Sequence, residues 1–162
     1  MIKVAICDDD IQFIYKLEQS IFRFAEMKRI KVDVDDYTSG AEFIQKLQQS
    51  ERYDLLFLDI ELGDSSGIIV GNWIRSQIQY ESMQIVFVSA KEMYAMQLFD
   101  LRPMNFLVKP IQQERVDYIL DEYERLYQFQ PHIIEIGKGR NAIRIEEHSV
   151  FYLQSLARKI QV

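Results

Sequence analysis

Apolar residues along this chain switch repeatedly between two periods. KVAIC (residues 3–7) is strand-like. From Asp10 to about Met27, Ile14, Leu17, Ile21, Phe24 and Ala25 fall at helix spacing. KVDVDDY (31–37) alternates apolar and acidic residues as a half-exposed edge strand does, and Thr38-Ser39-Gly40 with Glu42 signals the next helix start. DLLFLD (54–59) and QIVFVS (84–89) are continuous apolar runs, the pattern of central parallel strands covered on both faces. NFLVK (105–109) is a fifth strand; after Pro110 a helix is expected from about Gln112 to Phe129, with Val116, Ile119, Leu120, Tyr123 and Leu126 as its stripe. Strands alternating with helices across short connections predict an α/β fold, a five-stranded parallel sheet wrapped on both faces, with its sites at the carboxyl ends of the strands.

Beyond residue 130 the pattern changes. Residues 131–162 read as three or four short alternating strands separated by Gly-Lys-Gly-Arg-Asn and Glu-Glu-His-Ser turns, so the chain divides into an α/β domain over 1–130 and a β segment over 131–162. With 162 residues and 48% hydrophobic content, the chain holds one full domain and a little more. The longest apolar runs are only strand-length and no basic, long apolar leader opens the sequence, so neither a signal peptide nor a membrane span is expected. Cys7 lies inside the first apolar run as a buried thiol, consistent with a cytoplasmic location. Charge is uneven: residues 131–162 carry five basic (Lys138, Arg140, Arg144, Arg158, Lys159) against three acidic groups (Glu135, Glu146, Glu147), +2, leaving −8 on residues 1–130 from a total of −6. The first domain suits a cation or a basic partner better than nucleic acid.

The predicted topology gathers chemistry at one rim. Asp8 and Asp9 end the first strand, Asp59 the third, Ser89 the fourth and Lys109 the fifth. Any one of them alone is ordinary turn or cap chemistry, and Asp10 reads as the cap of the first helix. Converging, they suit phosphoryl transfer to a carboxylate: oxygen ligands from Asp8, Asp9 and Asp59 for Mg²⁺, Asp59 as nucleophile, and Lys109 with the Ser89 hydroxyl on the remaining phosphoryl oxygens.

These residues resemble the receiver domains of two-component response regulators over roughly residues 1–127: the Asp8-Asp9 pair, Asp59, Gly67 eight residues later, Ser89-Ala90 and Lys109-Pro110. The resemblance implies a flavodoxin-like sheet of order 2-1-3-4-5, Mg²⁺ held by Asp8, Asp9, Asp59 and the Glu61 backbone carbonyl, and Asp59 phosphorylated by a sensor histidine kinase. It also implies a cis Lys109-Pro110 bond, a Ser89/Phe106 switch pair, and a homodimer formed through the fourth helix, fifth strand and fifth helix. Two residues depart from the pattern. Gly63 stands where proline is common, which suggests a more mobile loop over Leu62–Gly67, and Phe106 stands where tyrosine is common, so rotamer switching rests on packing. Glu61 and Lys91, each two residues beyond a site residue, are expected to pair across the mouth and restrict attacking water; solvated surface charges are the alternative.

The tail resembles the opening strands of a LytTR-type DNA-binding domain, with Val150-Phe151-Tyr152-Leu153-Gln154-Ser155 near its Ile-x-x-Ile-Glu-Ser pattern and Gln154 in place of Glu. Leu101-Arg102-Pro103 also resembles receivers of that subfamily. The expected whole is a transcriptional regulator whose DNA-binding domain is only partly present here, so DNA contact requires a longer chain. Two alternatives stay open. One is a stand-alone signalling receiver with a β dimerisation tail. The other is a Mg²⁺-dependent aspartyl-phosphate phosphohydrolase of the haloacid dehalogenase type, using Asp8-Asp9-Asp10; against it, Ile11-Gln12-Phe13 replace the expected Thr, no acidic pair follows the lysine, and Asp59 has no task.

Overall fold

The computed structural model describes residues 1–77 and 80–128, and beyond them four strands at 133–136, 143–146, 154–156 and 159–161. The chain forms two compact units, Met1–Leu120 and Asp121–Val162. In the first, strands β1 (Ile2–Cys7), β2 (Val32–Tyr37), β3 (Leu55–Asp59), β4 (Gln84–Ser89) and β5 (Asn105–Val108) alternate with helices α1 (Ile11–Lys28), α2 (Gly40–Gln48) and α3 (Gly67–Ser76), and α4 (Gln113–Tyr123) begins after β5. All neighbouring strands pair in parallel, in the order β2-β1-β3-β4-β5, the flavodoxin-like arrangement.

Burial follows the sequence pattern. All five residues of β3 and five of the six in β4 are buried, as two-sided central strands require, whereas β2 at the edge buries only Tyr37 fully. Helix α1 buries Ile14, Leu17, Ile21, Phe24 and Ala25. Its cap is Asp10, whose carboxylate accepts from the N–H groups of Gln12 and Phe13 at 2.9 and 3.2 Å. Ser39 caps α2 through the Glu42 N–H at 3.3 Å. In α4, Val116, Ile119 and Leu120 are buried as expected, but Leu126 is exposed: residues Glu124–Gln128 form a π-helical turn, whose wider winding breaks the 3.6-residue spacing.

Two connections carry information that periodicity does not. Between β4 and β5 the chain forms a 3-10 helix, Glu92–Leu101, instead of an α-helix. Its side chains repeat every three residues: Leu98 and Leu101 point inward, while Met93, Met96 and Phe99 are exposed. After β3, the segment Glu61–Ser66 is tied down although Gly63 lacks the ring of proline. Asp64 accepts from the Ser39 hydroxyl at 2.8 Å and from the N–H groups of Gly40 and Ala41, both at 3.1 Å. Those donors and the positive end of α2 favour its ionised form, holding the carboxyl down at about 2. Where proline is absent, a carboxylate clasp thus ties the loop to the start of α2.

The second unit contains two antiparallel pairs. β6 (Ile133–Ile136) runs against β7 (Ile143–Glu146), and β8 (Gln154–Leu156) against β9 (Lys159–Gln161). Strands were expected there; the two turns, most of the Val150–Ser155 motif and the boundary at residue 130 lie outside the described residues. Among the described residues no helix is long and apolar enough to cross a membrane.

Gly67 opens α3 beneath β3, and a Cβ there would lie 1.9 Å from the Asp59 carbonyl oxygen. Space, not backbone freedom, requires glycine. Gly67→Ala is expected to destabilise the protein by about 3 kcal/mol, the upper part of the overpacking range, read from the urea midpoint at unchanged slope.

Candidate functional site

Parallel pairing brings the strand ends level. Cys7 lies beside Leu58 and Asp59 beside Val88, so Asp8, Asp59, Ser89 and Lys109 meet just past the carboxyl edge. Asp8 and Asp59 are almost fully buried and Asp9 is exposed; one oxygen from each of the three lies within 4.8 Å of the others. Asp10 does not join them, because its carboxylate is committed to the cap of α1. The Asp-x-Asp of the phosphohydrolase alternative thus loses its second carboxylate, while Asp59 gains a place in the cluster.

Lys109 supplies the positive charge expected beside these carboxylates. Its Nζ lies 2.8 Å from Asp59 Oδ2 and 2.7 Å from Asp8 Oδ2, and 4.2 Å from the centre of the Phe13 ring, which takes up part of the ammonium's field. The peptide bond from Lys109 to Pro110 is cis, as expected. Burial alone would lower the lysine's pKa, but Asp59 and Asp8 outweigh it and raise the pKa, so the group is charged at neutral pH. The remaining carboxylate oxygens have partners of differing quality. Asp59 Oδ1 accepts from the Glu61 N–H at 3.1 Å and Asp8 Oδ1 from the Asp10 N–H at 2.9 Å. Asp8 Oδ2, fully buried, has the Lys109 ammonium at 2.7 Å as its partner.

The donor set itself tests whether the residues fit a metal. Three carboxylates converge where one ammonium stands against two of them, which leaves capacity for another cation, and an all-oxygen donor set matches a hard divalent ion.

The other expected residues frame this cluster. Ser89 is fully buried and its Oγ accepts from the Lys91 N–H at 3.0 Å, which leaves its own proton to donate. Glu61 and Lys91 pair through their side chains, as the spacing suggested. Phe106 is half-buried in β5, its ring packed against the core. Lys109 also borders a cleft of about 350 Å³ lined by Phe13, Lys16 and Ile111. Sequence reasoning missed how the loop fits the cluster: a Cβ on Gly63 would lie 3.0 Å from Asp9 Oδ2, so the exposed carboxylate lies close to where any other residue would carry its side chain. No spacing signals this, since Gly63 and Asp64 read as ordinary turn formers.

Burial, with a smaller contribution from the neighbouring Asp59, pushes the Asp8 carboxyl up to about 6 against the pull of Lys109. A carboxyl raised above its usual ~3.9 binds its proton more tightly in the folded protein, so its ionised form opposes folding above pH 6 and ceases to do so by about pH 4. Asp8→Asn is therefore expected to raise the urea midpoint at pH 7, with the gain shrinking towards pH 4; equal shifts at both values would contradict this electrostatic origin.

The family model for the response regulator receiver domain matches residues 4–121. The sensory transduction protein LytT of Bacillus cereus is 28% identical over 150 residues, 93% of this chain and 58% of LytT. The transcriptional regulatory protein LytR of Staphylococcus aureus is 35% identical over 71 residues, 44% of this chain and 28% of LytR. The chain thus spans about half the length of the relatives it matches over most of its own. Among solved structures, the response regulatory domain of protein mrkE from Klebsiella pneumoniae superposes with a TM-score of 0.67 at 23% identity, covering 79% of this chain and 99% of that domain. With the family model spanning most of its length, this chain belongs to the response regulator receiver domain family of signalling proteins.

Proposed function

We propose that this protein is a phosphorylation-controlled switch in which Asp59 accepts a phosphoryl group, with Mg²⁺, from a sensor histidine kinase. The observation that carries the reading is the single ammonium of Lys109 within 2.8 Å of Asp59 and 2.7 Å of Asp8. A carboxylate oxygen of Asp59 forms the bond to phosphorus as the bond from phosphorus to the donor nitrogen breaks and its electron pair leaves with the donor. Lys109 exchanges its contact with Asp59 for one with the arriving phosphoryl oxygens, and Ser89 donates its hydroxyl proton to another. Both offset charge that spreads over a loose transition state. Asp8, Asp9, Asp59 and the Glu61 carbonyl would hold Mg²⁺, which when bound neutralises phosphoryl charge. No enzyme activity on another substrate is needed.

The output is read through similarity to LytT and LytR. Movement of Ser89 towards the phosphoryl group leaves space for Phe106, and the surface formed by the 3-10 helix, β5 and α4 changes its preference for a second copy. Exposed Met93, Met96 and Phe99 lie on that surface. In a longer, cytoplasmic chain carrying a complete LytTR domain, pairing would place two such domains on DNA and regulate transcription; residues 131–162 are read as the start of that domain, after a receiver domain over 1–130.

Phosphorylation with a small phosphodonor and Mg²⁺, followed by intact mass, is expected to add one phosphoryl group to the wild type and none to Asp59→Asn. An adduct that persists in the variant would move the nucleophile elsewhere. The Glu61–Lys91 pair is read as a gate on attacking water. Lys91→Ala is expected to shorten the phosphoryl half-life about threefold, the scale of an exposed ion pair; an unchanged half-life removes that role.

A further inference from the structure

The loop after β3 touches the acidic cluster at two points. The Glu61 N–H donates to Asp59 Oδ1 at 3.1 Å, and Asp9 Oδ2 lies 3.0 Å from where a Cβ on Gly63 would stand. Between them and Gly67, whose approach to the Asp59 carbonyl leaves no space for a Cβ, the only acidic side chain is Asp64, which turns away from the cluster and binds the start of α2. The other side of that contact is built to match. A Cβ on Gly40 would lie 2.6 Å from Ser65 Oγ and 2.7 Å from Val70, so the start of α2 fits against the loop only as glycine. Asp64 and Gly40 lie on different elements, and both are shaped by the same docking.

From this we infer that Asp64 is a positioning residue of the phosphoacceptor site, holding the loop of Glu61 and Gly63 against Asp59 and Asp9 by anchoring it to the N-terminus of α2. The inference rests on the phosphoacceptor reading for its consequence, since the Glu61 carbonyl and the Asp9 carboxylate are the groups proposed to face the cation. Its physical basis is independent of that reading. A carboxylate holding two backbone N–H groups and a hydroxyl across 23 to 25 residues closes a long chain segment, and such contacts fix geometry that the loop's own glycine cannot.

The test compares Asp64→Ala with Asp54→Ala. Asp54 also accepts a backbone N–H, from Lys3 at 2.7 Å, but at the start of β3, the opposite end of the strand from the site. In the metal-free protein, Asp64→Ala is expected to speed amide exchange over residues 39–42 and 60–66 with little change in β1 and β4. Titration with Mg²⁺ followed calorimetrically is expected to give about tenfold weaker binding for Asp64→Ala, the low end of what losing an outer partner of a metal site costs, and unchanged binding for Asp54→Ala. Gly40→Ala, which pushes on the loop from the other side, should reproduce both changes.

Wild-type Mg²⁺ affinity in Asp64→Ala overturns the positioning role and leaves the phosphoacceptor reading intact. Equal weakening by Asp54→Ala assigns the effect to general stability and also overturns it. A wild type that binds no Mg²⁺ overturns both readings, whatever the exchange data show.

Discussion

Two almost fully buried carboxylates on neighbouring strands cannot both remain charged unless a cation lies between them, and the site is arranged around the one that does. Lys109 stands at the end of an edge strand, and its ammonium passes β4 to reach Asp59 on β3 and Asp8 after β1. A long, flexible side chain ending in a compact charge can serve two carboxylates as a point charge, whereas a guanidinium fork favours bidentate pairing with one. Strand order matters for the same reason. With β3 between β1 and β4, the two acids lie side by side and the lysine approaches from one direction.

The balance is incomplete by design of the residues themselves. One ammonium faces two buried carboxylates, and a third, exposed one lies beside them. Burial raises the Asp8 carboxyl even against its lysine partner, so the folded protein is electrostatically under-neutralised at neutral pH. A second cation relieves that condition, and a phosphoryl group brings negative charge back into the same space. The chemistry proposed for the site alternates between two charge states that the metal-free geometry leaves within reach.

Most of the fold was legible because parallel α/β sheets impose their own grammar. The two-sided strands at 54–59 and 84–89, the alternating edge at 31–37 and the helical stripe of residues 14 to 25 each state their burial in their composition, and strand ends then locate Asp8, Asp59, Ser89 and Lys109 without further information. What stayed illegible depends on contacts between segments distant in sequence. The Asp64 clasp joins a turn to a helix start some two dozen residues away, and the close approach at Gly63 depends on where the Asp9 side chain lies. The 3-10 geometry of Glu92–Leu101 was hidden for another reason: ten residues of mixed polarity do not distinguish a period of three from one of 3.6 until the inward pair, Leu98 and Leu101, is known.

These differences make the two walls of the site mechanically unlike. The wall after β3 is held at two places, by Asp64 bound to the start of α2 and by Gly67 packed against the Asp59 carbonyl. The wall after β4 leaves Ser89 through a hydrogen bond to the Lys91 N–H and the exposed Lys91–Glu61 pair, and continues into a 3-10 helix whose near half exposes Met93 and Met96 and buries nothing fully. Its far end is held again, where Arg75 on α3 donates to the carbonyls of Leu101 and Met83 at 2.8 and 2.9 Å. Segments with few buried apolar contacts open at lower free energy than those tied to the core. In the proposed switch, a pull on the Ser89 hydroxyl would act first on the segment from Lys91 towards Met96, and Arg75 would hold Leu101 beyond it. A loosely held wall next to a clamped one would let the outer surface change while the carboxylates keep their places.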